Sequence, residues 1–92
     1  RLCDEHNTFF IADEVATAFG RLGSLLACDF AQVRPDFLCL SKGLSGGILP
    51  LALTLTHEGI FELFKIPSRA DAFFHGHTFT GNALGSAAAP FF

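Results

Sequence analysis

Methionine, tryptophan and tyrosine are absent from these 92 residues, and only 16% of them are Asp, Glu, Lys or Arg. A chain without Met reads as a piece of a longer protein rather than as a complete primary translation product. A domain this short has much surface for its volume, and about a quarter of its residues should be charged. Here half are hydrophobic and the mean hydropathy is +0.43. The surplus apolar surface is expected to face protein outside the sequence, which makes the chain a core segment of a larger globular protein. The sequence has 12 Phe and no other aromatic residue besides His, and nothing physical accounts for that choice.

Positive charge is scarce as well: six basic residues stand against nine acidic ones, for a net charge of -3 and a pI near 5.7. With no Lys/Arg run, nucleic-acid binding is disfavoured. Gly, Pro, Thr or a charge interrupts every apolar run well short of the roughly 20 residues of a membrane helix, and Arg1 opens no signal-peptide pattern. A soluble, cytoplasmic setting is therefore expected. Cys3, Cys28 and Cys39 are odd in number and form no C-x-x-C, so buried reduced thiols are the expected state.

What is present reads as alternating short strands and helices. Residues 2 to 6 end a helix closed by Asn7, and Thr8 to Ala12 is a short apolar run stopped by Asp13-Glu14, the pattern of a buried parallel strand. Gly20 and Gly23 make Val15 to Gly23 a loop, and Leu25 to Ala31 has the length of a short helix. A second buried strand, Asp36 to Leu40, stops at Ser41-Lys42-Gly43. Gly43, Gly46, Gly47 and Pro50 turn the chain into a third strand over Leu51 to Thr56. Thr56 is placed to cap a helix whose apolar face is Ile60, Phe61, Leu63 and Phe64. A surface loop over Pro67 to Asp71 and a small-residue helix over Ala83 to Ala89 complete the series. The class is α/β, with a mostly parallel sheet flanked by helices, and residues 1–92 form one incomplete domain.

Asp13 and Lys42 stand out because each ends a buried strand run, and ligands of open α/β sheets bind beyond the carboxyl ends of the strands. If the two strands are neighbours or nearly so, at about 4.8 Å per step, a carboxylate and a flexible amine would reach one small ligand. Partial desolvation of Lys42 would favour the neutral, nucleophilic amine that Schiff-base formation needs. A carboxylate facing a pyridinium nitrogen and a lysine holding an aldehyde are the two groups that pyridoxal phosphate requires. Thr78 and Thr80 precede Gly81-Asn82 and the small-residue helix, where hydroxyls and free N–H groups favour a phosphate. Each residue alone has a plainer role: a strand-end Asp caps a turn, a Lys is solvated, a Thr caps a helix.

The letters add to the spacing. Ile11-Ala12-Asp13-Glu14-Val15-Ala16-Thr17, Phe19-Gly20-Arg21-Leu22-Gly23, Pro35 to Gly47 around Ser41-Lys42-Gly43, and His75-Gly76-His77-Thr78-Phe79-Thr80-Gly81-Asn82 resemble the class III pyridoxal-phosphate aminotransferases, in that family's order. The resemblance runs from residue 1 to about 89, with Asp13 and Lys42 separated by 29 positions. It implies the large domain of an aspartate-aminotransferase-like fold (fold type I), of which residues 1–92 are the central part. Pyridoxal 5′-phosphate is the cofactor it implies. Lys42 would form the Schiff base and later move the proton at the substrate α-carbon, Asp13 would pair with the ring nitrogen, and Val15 would pack on the ring. Thr78 would bind the phosphate from across a homodimer interface. The partners implied are a small-molecule amino donor and a keto-acid acceptor. Within the class the letters lean towards the branch serving biotin biosynthesis, in which adenosylmethionine or lysine donates nitrogen to 8-amino-7-oxononanoate; omega-amino acid and ornithine-type members are the alternative. Four positions depart from the family pattern: Ala18 for Gly, Leu22 for Thr, Ile48 for Tyr and Ala83 for Pro. The ending Pro90-Phe91-Phe92 does not continue the family's helix and reads as a truncation artefact.

Other chemistries remain open to the same letters. Gly43-Leu44-Ser45-Gly46-Gly47 fits the G-x-S-x-G elbow of a serine hydrolase, with Asp71 and His75 or His77 following in triad order. The glycines and Pro50 oppose the helix such an elbow feeds. His75 and His77, with Asp71 or His6, form a loose metal-ligand set, and no metal is expected. Asp13-Glu14 would not flank one glycosidic bond, because consecutive strand residues point to opposite faces. The chain by itself is expected neither to fold stably nor to bind cofactor tightly, since its sheet edges and apolar faces would be uncovered.

Overall fold

The apolar runs form strands, and the strands pair with one another. The computed structural model describes residues 1–65, 70 and 72–89, and its sheet has the order β1 (Ile11–Asp13), β2 (Phe37–Leu40), β3 (Leu53–Thr56). β1 and β2 are parallel, with Ile11 opposite Phe37, Ala12 opposite Leu38 and Asp13 opposite Cys39. β2 and β3 are antiparallel, from Phe37 opposite Thr56 to Leu40 opposite Leu53. The described sheet is therefore mixed rather than mostly parallel. The reason is the connection: Gly46 and Gly47, at φ 59° and 81°, reverse the chain, whereas a parallel return needs a crossover that is usually a helix.

Short helices surround the sheet: α1 (Leu2–Glu5), α2 (Ala27–Ala31), α3 (Glu58–Phe61) and α4 (Ala83–Ala88), with 3-10 turns at Lys42–Ser45 and Glu62–Phe64. Side-chain alternation along β2 sends Leu38 and Leu40 into a core with Ala12, Ala18 and Cys28, against which Phe10, Phe19, Leu26 and Leu53 pack. At the entry to the parallel pair, Phe10 N–H donates to Asp36 Oδ2 at 2.8 Å while Asp36 N–H donates to Phe10 O at 2.9 Å. At its exit, Glu14 N–H donates to Cys39 O at 3.0 Å. The pair is thus pinned at both ends, which fixes where the two strand tips emerge.

Several expectations are corrected. The strands are not buried on both faces: Ile11 is 61% and Leu55 50% exposed, because the described residues cover one face of the sheet. Only Cys28 is a buried thiol; Cys3 and Cys39 are half-buried, and all three are free. Thr56 does not cap α3. It stays in β3, where its hydroxyl donates to Asp36 O at 2.8 Å, and His57 takes the cap position without a side-chain hydrogen bond. Of the apolar face expected there, Ile60 is buried while Phe61, Leu63 and Phe64 are exposed. Apart from Ala70, the loop Pro67 to Asp71 lies outside the described residues, as does Pro90-Phe91-Phe92.

Two of the departures from the family pattern have a structural reading. Ala18 is 4% exposed and is not among the positive-φ residues, so its methyl group joins the core without backbone strain. Ala83 is the first residue of α4, a position where Pro is favoured for its preset φ but Ala serves equally as a helix former. Leu22 and Ile48 are exposed, and nothing described explains either choice.

Candidate active site

The parallel pair brings Asp13 and Lys42 to the same end of the sheet. Asp13 lies opposite Cys39 in register, and Lys42 follows that residue by three positions, just past the tip of β2. Asp13 is exposed, and its Oδ1 accepts a hydrogen bond from Val15 N–H at 3.0 Å, a turn that fixes the carboxylate and leaves Oδ2 without a partner among the described residues. Val15 is half-buried beside it. Lys42 is exposed, with no ion pair or hydrogen bond to its amine among the described residues, so these residues do not supply the desolvation expected for it. Its backbone is at φ 38°, in the left-handed region that a side chain with a Cβ disfavours. Ser41, Lys42, Ser45 and residues 47–51 line an open cleft of about 300 Å³ that Asp13 does not reach.

Thr78 is not brought into this group. It is exposed in a turn, forms no hydrogen bond with Asp13 or Lys42 and does not line the cleft. The anion-binding arrangement expected ahead of α4 is taken up internally: Thr80 Oγ1 accepts from His77 N–H at 2.8 Å, and Asn82 Oδ1 accepts from Leu84 N–H at 3.2 Å. α4 nevertheless adjoins the cleft, because its one buried residue, Gly85, packs so closely that a Cβ there would lie 3.4 Å from Pro50 O and 3.5 Å from Leu51 Cδ1.

The competing chemistries find less support. Ser45 is 2% exposed and its hydroxyl donates to Leu49 O at 2.6 Å, so it is a structural hydroxyl of the glycine turn, not a displayed nucleophile. The His77 ring accepts from Phe79 N–H through Nδ1 at 3.0 Å, and Asp71 lies outside the described residues. No cluster of three or more His, Cys, Asp or Glu able to hold a metal occurs among the described residues. Asp13 and Glu14 do face opposite ways, one exposed and one buried.

Glu14 is the residue that sequence reasoning missed. It is 2% exposed, and its carboxylate accepts from Ala27 N–H at 2.6 Å, from Cys28 N–H at 2.7 Å and from the Thr17 hydroxyl at 3.3 Å. A buried carboxylate thus satisfies the free N–H groups at the start of α2 and ties down the loop that leaves Asp13. Burial pushes its carboxyl up, but the N–H groups of Cys28 and Ala27, with the Cys28 thiol and Thr17 hydroxyl, outweigh burial and hold it below the usual 4.5. Cys28 is pushed up to about 11, by burial first, then by the hydrogen bond and charge of Glu14 and by the charge of Asp29. The only sequence signal was negative: the second acid of Asp13-Glu14 has no basic residue within six positions on either side.

Among the described residues, a strand-end carboxylate and a lysine just past the tip of the adjacent parallel strand stand at one end of the sheet, each with a polar atom that has no partner there. The class-III aminotransferase family model matches residues 1–90, and the chain belongs to that family. It is 56% identical over 90 residues to the adenosylmethionine-8-amino-7-oxononanoate aminotransferase of Nitratidesulfovibrio vulgaris, covering 96% of this chain and 16% of that protein. The crystal structure of the enzyme of that name from Methanocaldococcus jannaschii superposes with a TM-score of 0.84 at 47% identity, over 96% of this chain and 21% of that one. An amine transaminase from an uncultivated Pseudomonas species, solved in its PLP-bound (internal aldimine) form, gives a TM-score of 0.86 at 39% identity, over 97% of this chain and 20% of that one. The chain thus spans about a fifth or less of the length of these relatives. None of the helices among the described residues is long and apolar enough to cross a membrane.

Proposed function

We propose that residues 1–92 are the central part of the large domain of a pyridoxal-phosphate aminotransferase that delivers an amino group to 8-amino-7-oxononanoate, giving 7,8-diaminononanoate for biotin. The observation that carries the reading is the placement of Asp13 and Lys42 at the carboxyl ends of adjacent parallel strands. The substrate assignment is supported by 56% identity to an enzyme bearing that name, and the cofactor by a similar amine transaminase solved with PLP. The donor is adenosylmethionine or lysine. A cytoplasmic homodimer is the working assembly.

The donor set fits the group. Among the described residues, Asp13 has one carboxylate oxygen unengaged, suited to hold the proton on a heterocyclic nitrogen, and Lys42 has an unpaired amine suited to join an aldehyde. Bound pyridoxal phosphate supplies the aldehyde and an electron sink for carbanion chemistry. Val15, tied by its N–H to Asp13, gives the ring an apolar wall. The Lys42 amine, when not joined to that aldehyde, would take the proton from the substrate α-carbon and return it to the cofactor's aldehyde-derived carbon, on the far side of the transferred nitrogen. Thr78, exposed and outside the local cleft, is assigned to the phosphate in a neighbouring copy's site.

Borohydride reduction of the cofactor-loaded full-length protein, followed by peptide mapping, tests the assignment. The label is expected on Lys42. Label on Lys65, or on no lysine, overturns it. Supplying adenosylmethionine and lysine in turn with 8-amino-7-oxononanoate identifies the donor, and turnover only with ornithine or an omega-amino acid as donor, with none to 8-amino-7-oxononanoate, overturns the substrate assignment.

A further inference from the structure

We propose that Phe19 is a positioning residue for Lys42 and acts through Gly43; the proposal rests on Lys42 being the cofactor lysine. A Cβ built on Gly43 would lie 2.5 Å from Phe19 Cδ2, 2.8 Å from Cγ and 3.0 Å from Cβ. Such separations are far inside van der Waals contact, so the ring sits directly against the Gly43 backbone. Gly43 is not among the positive-φ glycines, and its backbone would accept alanine. The neighbouring ring is what excludes a side chain there, in contrast to Gly46 and Gly47 at φ 59° and 81°, where the turn itself asks for glycine.

The two residues that meet at this glycine are themselves held unusually. Lys42 is at φ 38° and Phe19 at φ 62°, both side-chain-bearing residues in left-handed backbone. Conformations of this kind persist only where the surroundings over-determine them. Phe19 is well anchored: its N–H donates to Leu25 O at 2.7 Å, and its side chain packs against the core cluster of Ala12, Ala18 and Leu38. Glu14 fastens the same loop to the start of α2. On the other side, the turn continues from Gly43, whose carbonyl accepts from Gly46 N–H at 3.2 Å.

A lysine stem is long and flexible, so the reach of its amine depends on the direction in which Cα–Cβ leaves the backbone. That direction is set by φ at Lys42, and the ring braced on the next residue prevents the turn from relaxing. The loop leaving Asp13 therefore presses on the turn that carries Lys42, and the two strand tips are set relative to each other by one aromatic contact.

The test uses the natural full-length protein loaded with pyridoxal phosphate. F19A is expected to lower kcat about 10- to 100-fold, the scale of a ~1 Å misplacement, and to shift the pH midpoint of the cofactor's visible band; F19L should recover most of both. G43A is expected to produce a similar loss and shift. F19A/G43A should be no worse than F19A alone, because both substitutions act on one contact. Wild-type kcat and midpoint in F19A, with only the melting temperature lowered, would overturn the proposal, as would losses that multiply in the double variant. Should F19A fail to fold, G43A decides alone: an unchanged midpoint and kcat overturns it. Failure of the underlying assignment shows separately, as borohydride label absent from Lys42 in the unsubstituted protein.

Discussion

The chain has two lysines, and its architecture treats them in opposite ways. Lys65 lies after α3 with its ammonium 2.6 Å from Glu62 Oε1 and 3.3 Å from Glu58 Oε1, and 4.7 Å over the Phe61 ring. It is a solvated charge in a small surface network, and its hydrogen bond holds the Glu62 carboxyl below the usual range. Lys42 has no such partners among the described residues; instead its backbone is in a disfavoured conformation, between a glycine turn and an aromatic ring. One lysine has its charge satisfied and its backbone relaxed, the other the reverse. The proposed role of Lys42 in chemistry agrees with that contrast.

The largest effect that tests this contrast is on turnover. In the full-length protein K42A is expected to lower kcat by at least about 10²–10⁴-fold, the range of a lost proton-transferring group, while K65A leaves it unchanged. Equal losses in a steady-state assay would erase the distinction. Next in size is stability around Glu14. E14A strips partners from the N–H groups of Ala27 and Cys28, at about 1–3 kcal/mol per buried group left unsatisfied, and E14Q costs less because it keeps one acceptor oxygen. Urea titration of both variants measures this.

The same residue dictates a pH dependence. Because the folded Glu14 carboxyl lies below its unfolded 4.5, its contribution is present above about 4.5 and is lost as pH falls through the lower folded value. E14Q should flatten the acid limb of the stability profile. Cys28 gives the opposite limb: raised from 9.0 to about 11, its contribution is full below pH 9 and is lost as pH rises towards 11. A thiol so buried and so weakly acidic should resist alkylation at neutral pH in the folded protein and react only after denaturation, as mass spectrometry would report. The smallest expected structure belongs to the chain taken alone. With Phe9, Phe30, Phe73 and Phe74 all more than 60% exposed, the 92-residue chain should show no cooperative melting transition, and calorimetry would reveal one if it existed.

How legible this was in the sequence depends on distance along the chain. Asp13 and Lys42 could be found because an apolar run halted by a polar residue marks a strand tip, a signal contained in a few consecutive letters. The loop of Val15 to Gly23 and the small-residue helix were legible for the same reason. Glu14 was not, because its partners Ala27 and Cys28 lie 13 and 14 residues away and offer backbone groups that no letter displays. Gly43 resembled its glycine neighbours, although a ring 24 positions earlier, at Phe19, is what requires it. Thr56 has the letter of a helix cap, yet the sheet claims its hydroxyl through Asp36. The hand of β3 was hidden because pattern marks a strand but not its direction.

β2 pairs in one sense with β1 and in the other with β3, so four residues serve as the common ruler for the whole sheet. A slip of one place along that ruler would turn Leu38 and Leu40 outward and Phe37 and Cys39 inward, and would shift the turn that carries Lys42 relative to Asp13. The alignment of the two strand tips and the choice of core residues are therefore a single decision, and a change of register that shifts one shifts the other.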